Sequence, residues 1–230
     1  MKILLTGANG YIGMRLLPQL LDAGHDVICA VRDPKRLSIT NDVLERIKVI
    51  TIDFSDTTEA EVIPKDIDVV YYLLHSMSST QGDFEELENR CAYNFCSLIQ
   101  KTKVKQVIFL SGIVNDKNLS KHLRSRKNVE QILEEAPFNL TVLRAGIIVG
   151  SGSASFEIIR DLCEKLPFMI TPKWVRTKSQ PIAIRSVMEF LIGVLLNPKC
   201  MNDAFDIGGP NVLTYKEMLH SYARTRGFKN

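Results

Sequence analysis

Six short apolar runs punctuate the first two thirds of the chain, at residues 2–5, 26–31, 47–52, 68–73, 106–110 and 140–143. They are rich in Val, Ile and Leu and alternate little with polar residues, the pattern of strands buried on both faces of a parallel sheet. Between them, apolar residues return at helical spacing over 11–21, 84–101 and 121–134. The first of these stripes is Ile12, Leu16, Leu17 and Leu20. Between 52 and 68 the pattern allows only a short helix, which Pro64 ends. Repeated strand–helix–strand units predict an α/β fold, a doubly wound parallel sheet with right-handed crossovers. After residue 143 the rhythm loosens. A Gly/Ser turn over 150–155 precedes helices at 156–166, 186–196 and 215–226, with Pro167, Pro172 and Pro181 marking loops. Residues 1–150 are therefore expected to form the core and 151–230 a small C-terminal lobe packed on it as one structural unit.

Composition narrows the class without changing the fold. The 230 residues are 45% hydrophobic and 24% charged, with a net charge of +3, so no basic stripe suggests a nucleic-acid partner. The five cysteines, at 29, 91, 96, 163 and 200, form no Cys-x-x-Cys pair and read as reduced thiols of a cytoplasmic protein. The late apolar run over 190–196 is far too short to span a membrane, and Gly7 interrupts the leading one. No His, Cys, Asp or Glu cluster has metal-ligand spacing, so no metal is expected.

In a doubly wound sheet, ligands bind beyond the carboxyl ends of the strands, which directs attention to the residue after each strand. Strand one runs into Gly7, Gly10 and Gly13, with Asn9, Tyr11 and Ile12 between them, and a helix starts inside the turn. Glycines let backbone approach a pyrophosphate closely, and the helix N-terminus offers amide donors to it. Strand two ends in Arg32, followed by Asp33, Lys35 and Arg36. An arginine there can pair with a 2′-phosphate, so NADP(H) is favoured over NAD(H), although the same charges could form a solvated turn. Asp53 and Phe54 follow strand three, suited to an adenine, while Asp53 could equally cap the turn at Ser55 and Asp56. Leu74 and His75 follow strand four, where ribose and nicotinamide should pass; His75 is either a ligand contact or a surface group. Ser111 ends strand five, and Ala145 and Ile147 follow strand six.

Thr-Gly-Ala-Asn-Gly-Tyr-Ile-Gly at 6–13, the Ser111 strand end and Leu-Arg-Ala-Gly-Ile-Ile-Val-Gly at 143–150 resemble the extended and atypical short-chain dehydrogenase/reductase superfamily, with a Rossmann fold. The likeness is closer to its NmrA-like, NAD(P)-binding members. The segments 71–77, 152–157 and 206–210 are similar to a bacterial branch often labelled nucleoside-diphosphate-sugar epimerase. The resemblance covers nearly the whole chain. Members often carry a further C-terminal domain, so the chain reads as a short member or a fragment.

The resemblance implies a tyrosine and a lysine four residues apart on the helix after strand five, with a serine at the strand end that polarises the substrate carbonyl. Ser111 matches the serine. His122 and Arg126 stand at the positions of the pair. The residues four after Tyr11, Tyr71, Tyr72, Tyr93, Tyr215 and Tyr222 are Arg15, His75, Ser76, Ser97, Leu219 and Arg226, none of them lysine. Two readings follow. In one, His122 is the proton donor and Arg126 holds the ribose or a substrate anion. In the other, the domain senses the dinucleotide and answers to a regulatory partner. The leading expectation is an NADP(H)-dependent oxidoreductase acting on a small carbonyl compound; sugar-nucleotide epimerisation is a further alternative. Asn94 is expected to tie its helix to the strand-one turn, Trp174 to line a cleft or pack in the core, and the 180–183 segment to close the cleft. The oligomeric state is left open.

Overall fold

The computed structural model describes residues 1–56, 63–75, 84–114, 121–165 and 173–228, and at 121, 122, 173 and 174 the backbone alone. In chain order the elements are β1 (Lys2–Thr6), α1 (Gly13–Asp22), β2 (Asp26–Val31), α2 (Asn41–Glu45), β3 (Ile47–Thr51), β4 (Val69–Tyr72), α3 (Phe84–Ile99), β5 (Gln106–Gly112), α4 (Lys121–Glu134) and β6 (Leu140–Ala145). Then come β7 (Ile148–Val149), α5 (Ala154–Lys165), β8 (Lys178–Ser179), β9 (Ile182–Ala183), α6 (Ile184–Gly193), β10 (Asp203–Ile207), β11 (Leu213–Thr214) and α7 (Tyr215–Thr225).

Seven strands form one sheet in the order β10-β6-β5-β4-β1-β2-β3. The pairs β1–β2, β1–β4, β2–β3 and β4–β5 are parallel, with Leu5 of β1 facing Cys29 and Tyr71. The order reverses beside β1, so the switch point of this doubly wound α/β sheet lies between β1 and β4. One face is covered by α3 and α4, which bury Phe95, Ile99, Val129 and Leu133 against Val70, Tyr72, Val107 and Phe109. Tyr72 meets Phe95 edge-on, with centroids 4.7 Å apart. The helix allowed by the sequence between 52 and 68 falls largely outside the described residues.

The chain divides into two compact units, 1–144 with 190–205, and 145–189 with 206–230. This differs from a split at residue 150, because the chain returns to the sheet after α6. Asn202 Oδ1 accepts the Leu140 amide at 3.0 Å, and Thr141 donates to the Cys200 carbonyl at 2.7 Å. Buried Gln106 joins the same return by donating to the Val194 carbonyl at 2.9 Å and accepting from the Leu196 amide at 2.6 Å. The second unit has two-stranded pairings β7–β9 and β8–β11. Its helices α5 and α7 pack through Ile159, Met218 and Leu219. Among the described residues no helix is long and apolar enough to cross a membrane.

Candidate dinucleotide site

The first unit builds its turn from Thr6. This buried side chain donates to the Tyr71 carbonyl at 2.9 Å and accepts from the Leu73 amide at 3.1 Å, stitching the ends of β1 and β4. Gly7 follows with φ +65°, and a Cβ there would stand 2.4 Å from the Leu73 carbonyl oxygen. The Gly10 amide closes the turn on the Gly7 carbonyl at 2.9 Å. A Cβ on Gly13 would stand 2.4 Å from that same oxygen. Gly7 and Gly13 are thus demanded by close backbone approach, while Asn9 and Gly10 lie exposed at the tip. No side chain caps α1, whose N-cap is Ile12. Arg15 lies over the Tyr11 ring, 3.8 Å from its centroid. An exposed glycine tip against an uncapped helix start has the shape and polarity that a pyrophosphate needs.

Beyond β2 and β3, Arg32 and Asp53 are exposed, Asp53 between buried Ile52 and Phe54. Arg32 points to solvent, whereas Asp33 is engaged locally, its Oδ1 accepting from the Lys35 amide at 3.0 Å. Asp53 accepts from the amide and hydroxyl of Ser55, at 2.8 and 2.7 Å, so the turn-capping role foreseen for it is present. The Phe54 ring is buried 5.7 Å from Phe95. Asn94 does not reach the strand-one turn as expected. Its Nδ2 donates to the Phe54 carbonyl at 2.8 Å, because α3 lies across the segment leaving β3.

At the ends of β4 and β5 lies a buried ionic network. Leu74 is half-buried. His75 Nδ1 is 2.9 Å from Glu88 Oε1 on α3, and Ser125 on α4 donates to Glu88 Oε2 at 2.6 Å. Burial alone would raise the Glu88 pKa, but the hydrogen bonds from His75 and Ser125 and the charge of Arg126 outweigh it and hold the carboxyl at about 2. Arg126 is also buried. It donates to the Leu74 carbonyl at 3.0 Å and to the Leu110 carbonyl, and its guanidinium lies 4.5 Å from the Phe109 ring centroid. Burial lowers its pKa from the ordinary arginine value, opposed by the charge of Glu88. The Arg126 head is thus turned onto two backbone carbonyls. Ser111 is buried, and its hydroxyl has no hydrogen-bond partner among the described residues.

The backbone of α4 begins at Lys121, but the His122 side chain is outside the described residues, as are the side chain of Trp174 and the segment from Ser76 onward. Ala145 and Ile147 belong to the second unit; Ala145 is buried, and the Ile147 carbonyl accepts the Ile182 amide at 2.8 Å. The 180–183 segment packs there on glycines, a Cβ on Gly146 falling 1.9 Å from the Gln180 carbonyl oxygen. Glu88 and Ser125 were missed from sequence. Glu88, Ala92, Phe95 and Ile99 are all buried, and their four-three-four spacing was the available signal.

A family model described as NAD(P)H-binding matches residues 7–165. The chain is 24% identical over 225 residues to a chloroplastic divinyl chlorophyllide a 8-vinyl-reductase from Arabidopsis thaliana, covering 91% of this chain and 53% of that protein. It is 22% identical over 224 residues to a photosystem II assembly factor from Trieres chinensis, covering 96% and 67% respectively. The chain thus spans about half the length of the reductase it matches. Among solved structures, a UDP-glucuronic acid 4-epimerase from Bacillus cereus, in complex with UDP-glucuronic acid and NAD, superposes with a TM-score of 0.77 at 19% identity, covering 100% of this chain and 84% of that one. An epimerase from Methanothermobacter thermautotrophicus gives 0.80 at 13%, covering 98% and 77%. At such identities these two speak for the fold alone.

Proposed function

The chain belongs to the NAD(P)H-binding family, and from that premise we propose that it is an NADPH-dependent oxidoreductase acting on a small carbonyl compound. The observation that carries this reading is Ser111. Its buried hydroxyl ends β5 without a hydrogen-bond partner among the described residues, and a buried hydroxyl left unpaired is costly unless a ligand completes it. A substrate oxygen is such a ligand. The turn over 7–13 would hold the pyrophosphate, and a bound reduced nicotinamide would supply a hydride. Exposed Arg32 suits a 2′-phosphate, and Asp33, the group that would repel it, is turned to the Lys35 amide. The name of the Arabidopsis thaliana relative, an 8-vinyl-reductase, supports a reduction, there of a vinyl group rather than a carbonyl. Five free cysteines support a reducing cytoplasm as its place.

The test follows NADPH oxidation at 340 nm over a panel of aldehydes, ketones and quinones. Ser111→Ala is expected to lower kcat by roughly 100-fold, the loss of one hydrogen-bond donor at a developing oxyanion. A second reading, a redox-sensing module with a regulatory partner, is favoured by the missing Tyr-x-x-x-Lys pair and by the engagement of Arg126 with the Leu74 and Leu110 carbonyls. It predicts unequal affinities for oxidised and reduced dinucleotide in a protein that reduces nothing. Wild-type protein that binds NADPH yet turns over no carbonyl would decide for it.

A further inference from the structure

Two helices bring an ionised carboxylate into the core at the ends of β4 and β5, and apolar packing does not require it. Apolar packing between α3 and α4 is supplied by Ala92, Phe95, Ile99, Val129 and Leu133, and a buried charge is costly unless fully partnered. Glu88 is so partnered. It takes His75 Nδ1 on one oxygen and the Ser125 hydroxyl on the other. A carboxylate on Nδ1 fixes the imidazole tautomer and stabilises the imidazolium, leaving proton exchange to Nε2. The His75 side chain is 33% exposed and Glu88 only 4%, and the ring meets Phe84 edge-on with centroids 6.1 Å apart. Arg126 sets where that ring sits. One planar guanidinium bonds the carbonyls of Leu74 and Leu110, the residues immediately before His75 and Ser111. The two side chains therefore leave adjoining strand ends that a single group ties together.

We propose that His75 is the proton-transfer residue of the reduction, aligned by Glu88. This rests on the oxidoreductase reading above. A reduced nicotinamide supplies the hydride. The carbonyl carbon would accept it, the π pair would move to oxygen, and the oxygen would take the proton from Nε2 of the His75 imidazolium, leaving the neutral Nδ1–H tautomer on Glu88, while the Ser111 hydroxyl donates a hydrogen bond to it. The C=O π bond and the Nε2–H bond break; a C–H and an O–H bond form. A proton taken up from solvent restores the imidazolium, so the substrate would gain two electrons and two hydrogens, the hydride from the reduced dinucleotide and the proton from solvent. Glu88 is a positioning residue and touches no substrate.

The experiment uses 9,10-phenanthrenequinone as the carbonyl probe under saturating NADPH, with wild type, His75→Ala and Glu88→Gln. His75→Ala should lose about 100-fold in kcat, keep its NADPH affinity, melt lower because Glu88 loses a partner, and regain turnover when imidazole is added. Glu88→Gln should lose about tenfold in kcat with KM unchanged. Without any nucleotide, ¹⁵N-histidine spectra should show the Nδ1–H tautomer of His75 in wild type and its loss in Glu88→Gln. Unchanged kcat in His75→Ala overturns the inference, as does a loss that imidazole does not restore. It is equally overturned if His122→Gln abolishes turnover that His75→Ala retains. Wild type that binds NADPH but reduces neither this probe nor the carbonyl panel overturns the oxidoreductase reading and this inference with it.

Discussion

A methyl group on Gly13 would stand 2.4 Å from the Gly7 carbonyl oxygen and 2.8 Å from the Ala8 Cα. Both are backbone atoms that cannot swing aside. Gly13→Ala is expected to lower stability by roughly 1–3 kcal/mol, the scale of local backbone strain, and to weaken NADPH binding. Gly193→Ala, with nothing within 4 Å of the new Cβ, should do neither; calorimetry that cannot tell the two apart contradicts the account of the turn. Glu88 sets a pH dependence. Its folded pKa of about 2 lies below the ordinary 4.5, so its contribution is complete above about 4.5 and disappears as pH falls toward 2. The melting-temperature gap between wild type and Glu88→Gln should therefore narrow from pH 6 to pH 3, and a constant gap refutes this. The glycines were legible because their spacing states a backbone constraint. Glu88 was not, because glutamates crowd the start of α3 and read as a solvated face. Arg126 was found by position, but only the folded strand ends reveal that its partners are carbonyls.

The strands β1 to β6 and the helices α1 and α3 to α7 fall where the apolar runs and helical stripes predict, within a few residues, because each turns apolar residues of its own toward a core. The elements missed have no such face. The helix α2 has no buried residue, and β7, β8, β9 and β11 are two residues each, set by the partner they meet. Exposed Asp203 and Asp206 disguise β10. The bond from Asn94 to the Phe54 carbonyl links α3 to the segment beyond β3. Asn94→Ala should cost about 1–2 kcal/mol and lower the melting temperature by several degrees. An unchanged melting temperature would mean that this bond does not hold α3 in place.

The whole molecule is where sequence reading reached least far. The return of residues 190–205 to the first unit rests on pairings with Leu140 and Thr141 about sixty residues earlier, and no local pattern announces them. The strand ends themselves were placed correctly, since a parallel sheet puts every strand's carboxyl end on one edge. On that edge Arg32 is exposed and Asp33 is engaged, and the proposed preference for NADP(H) depends on this contrast. The most direct measurement is calorimetric titration of the protein with NAD⁺, NADH, NADP⁺ and NADPH, repeated on Arg32→Ala. The account predicts tighter binding of the phosphorylated pair by wild type and selective loss of that preference in Arg32→Ala. Equal affinities for NADPH and NADH, or a preference that Arg32→Ala leaves intact, would contradict it.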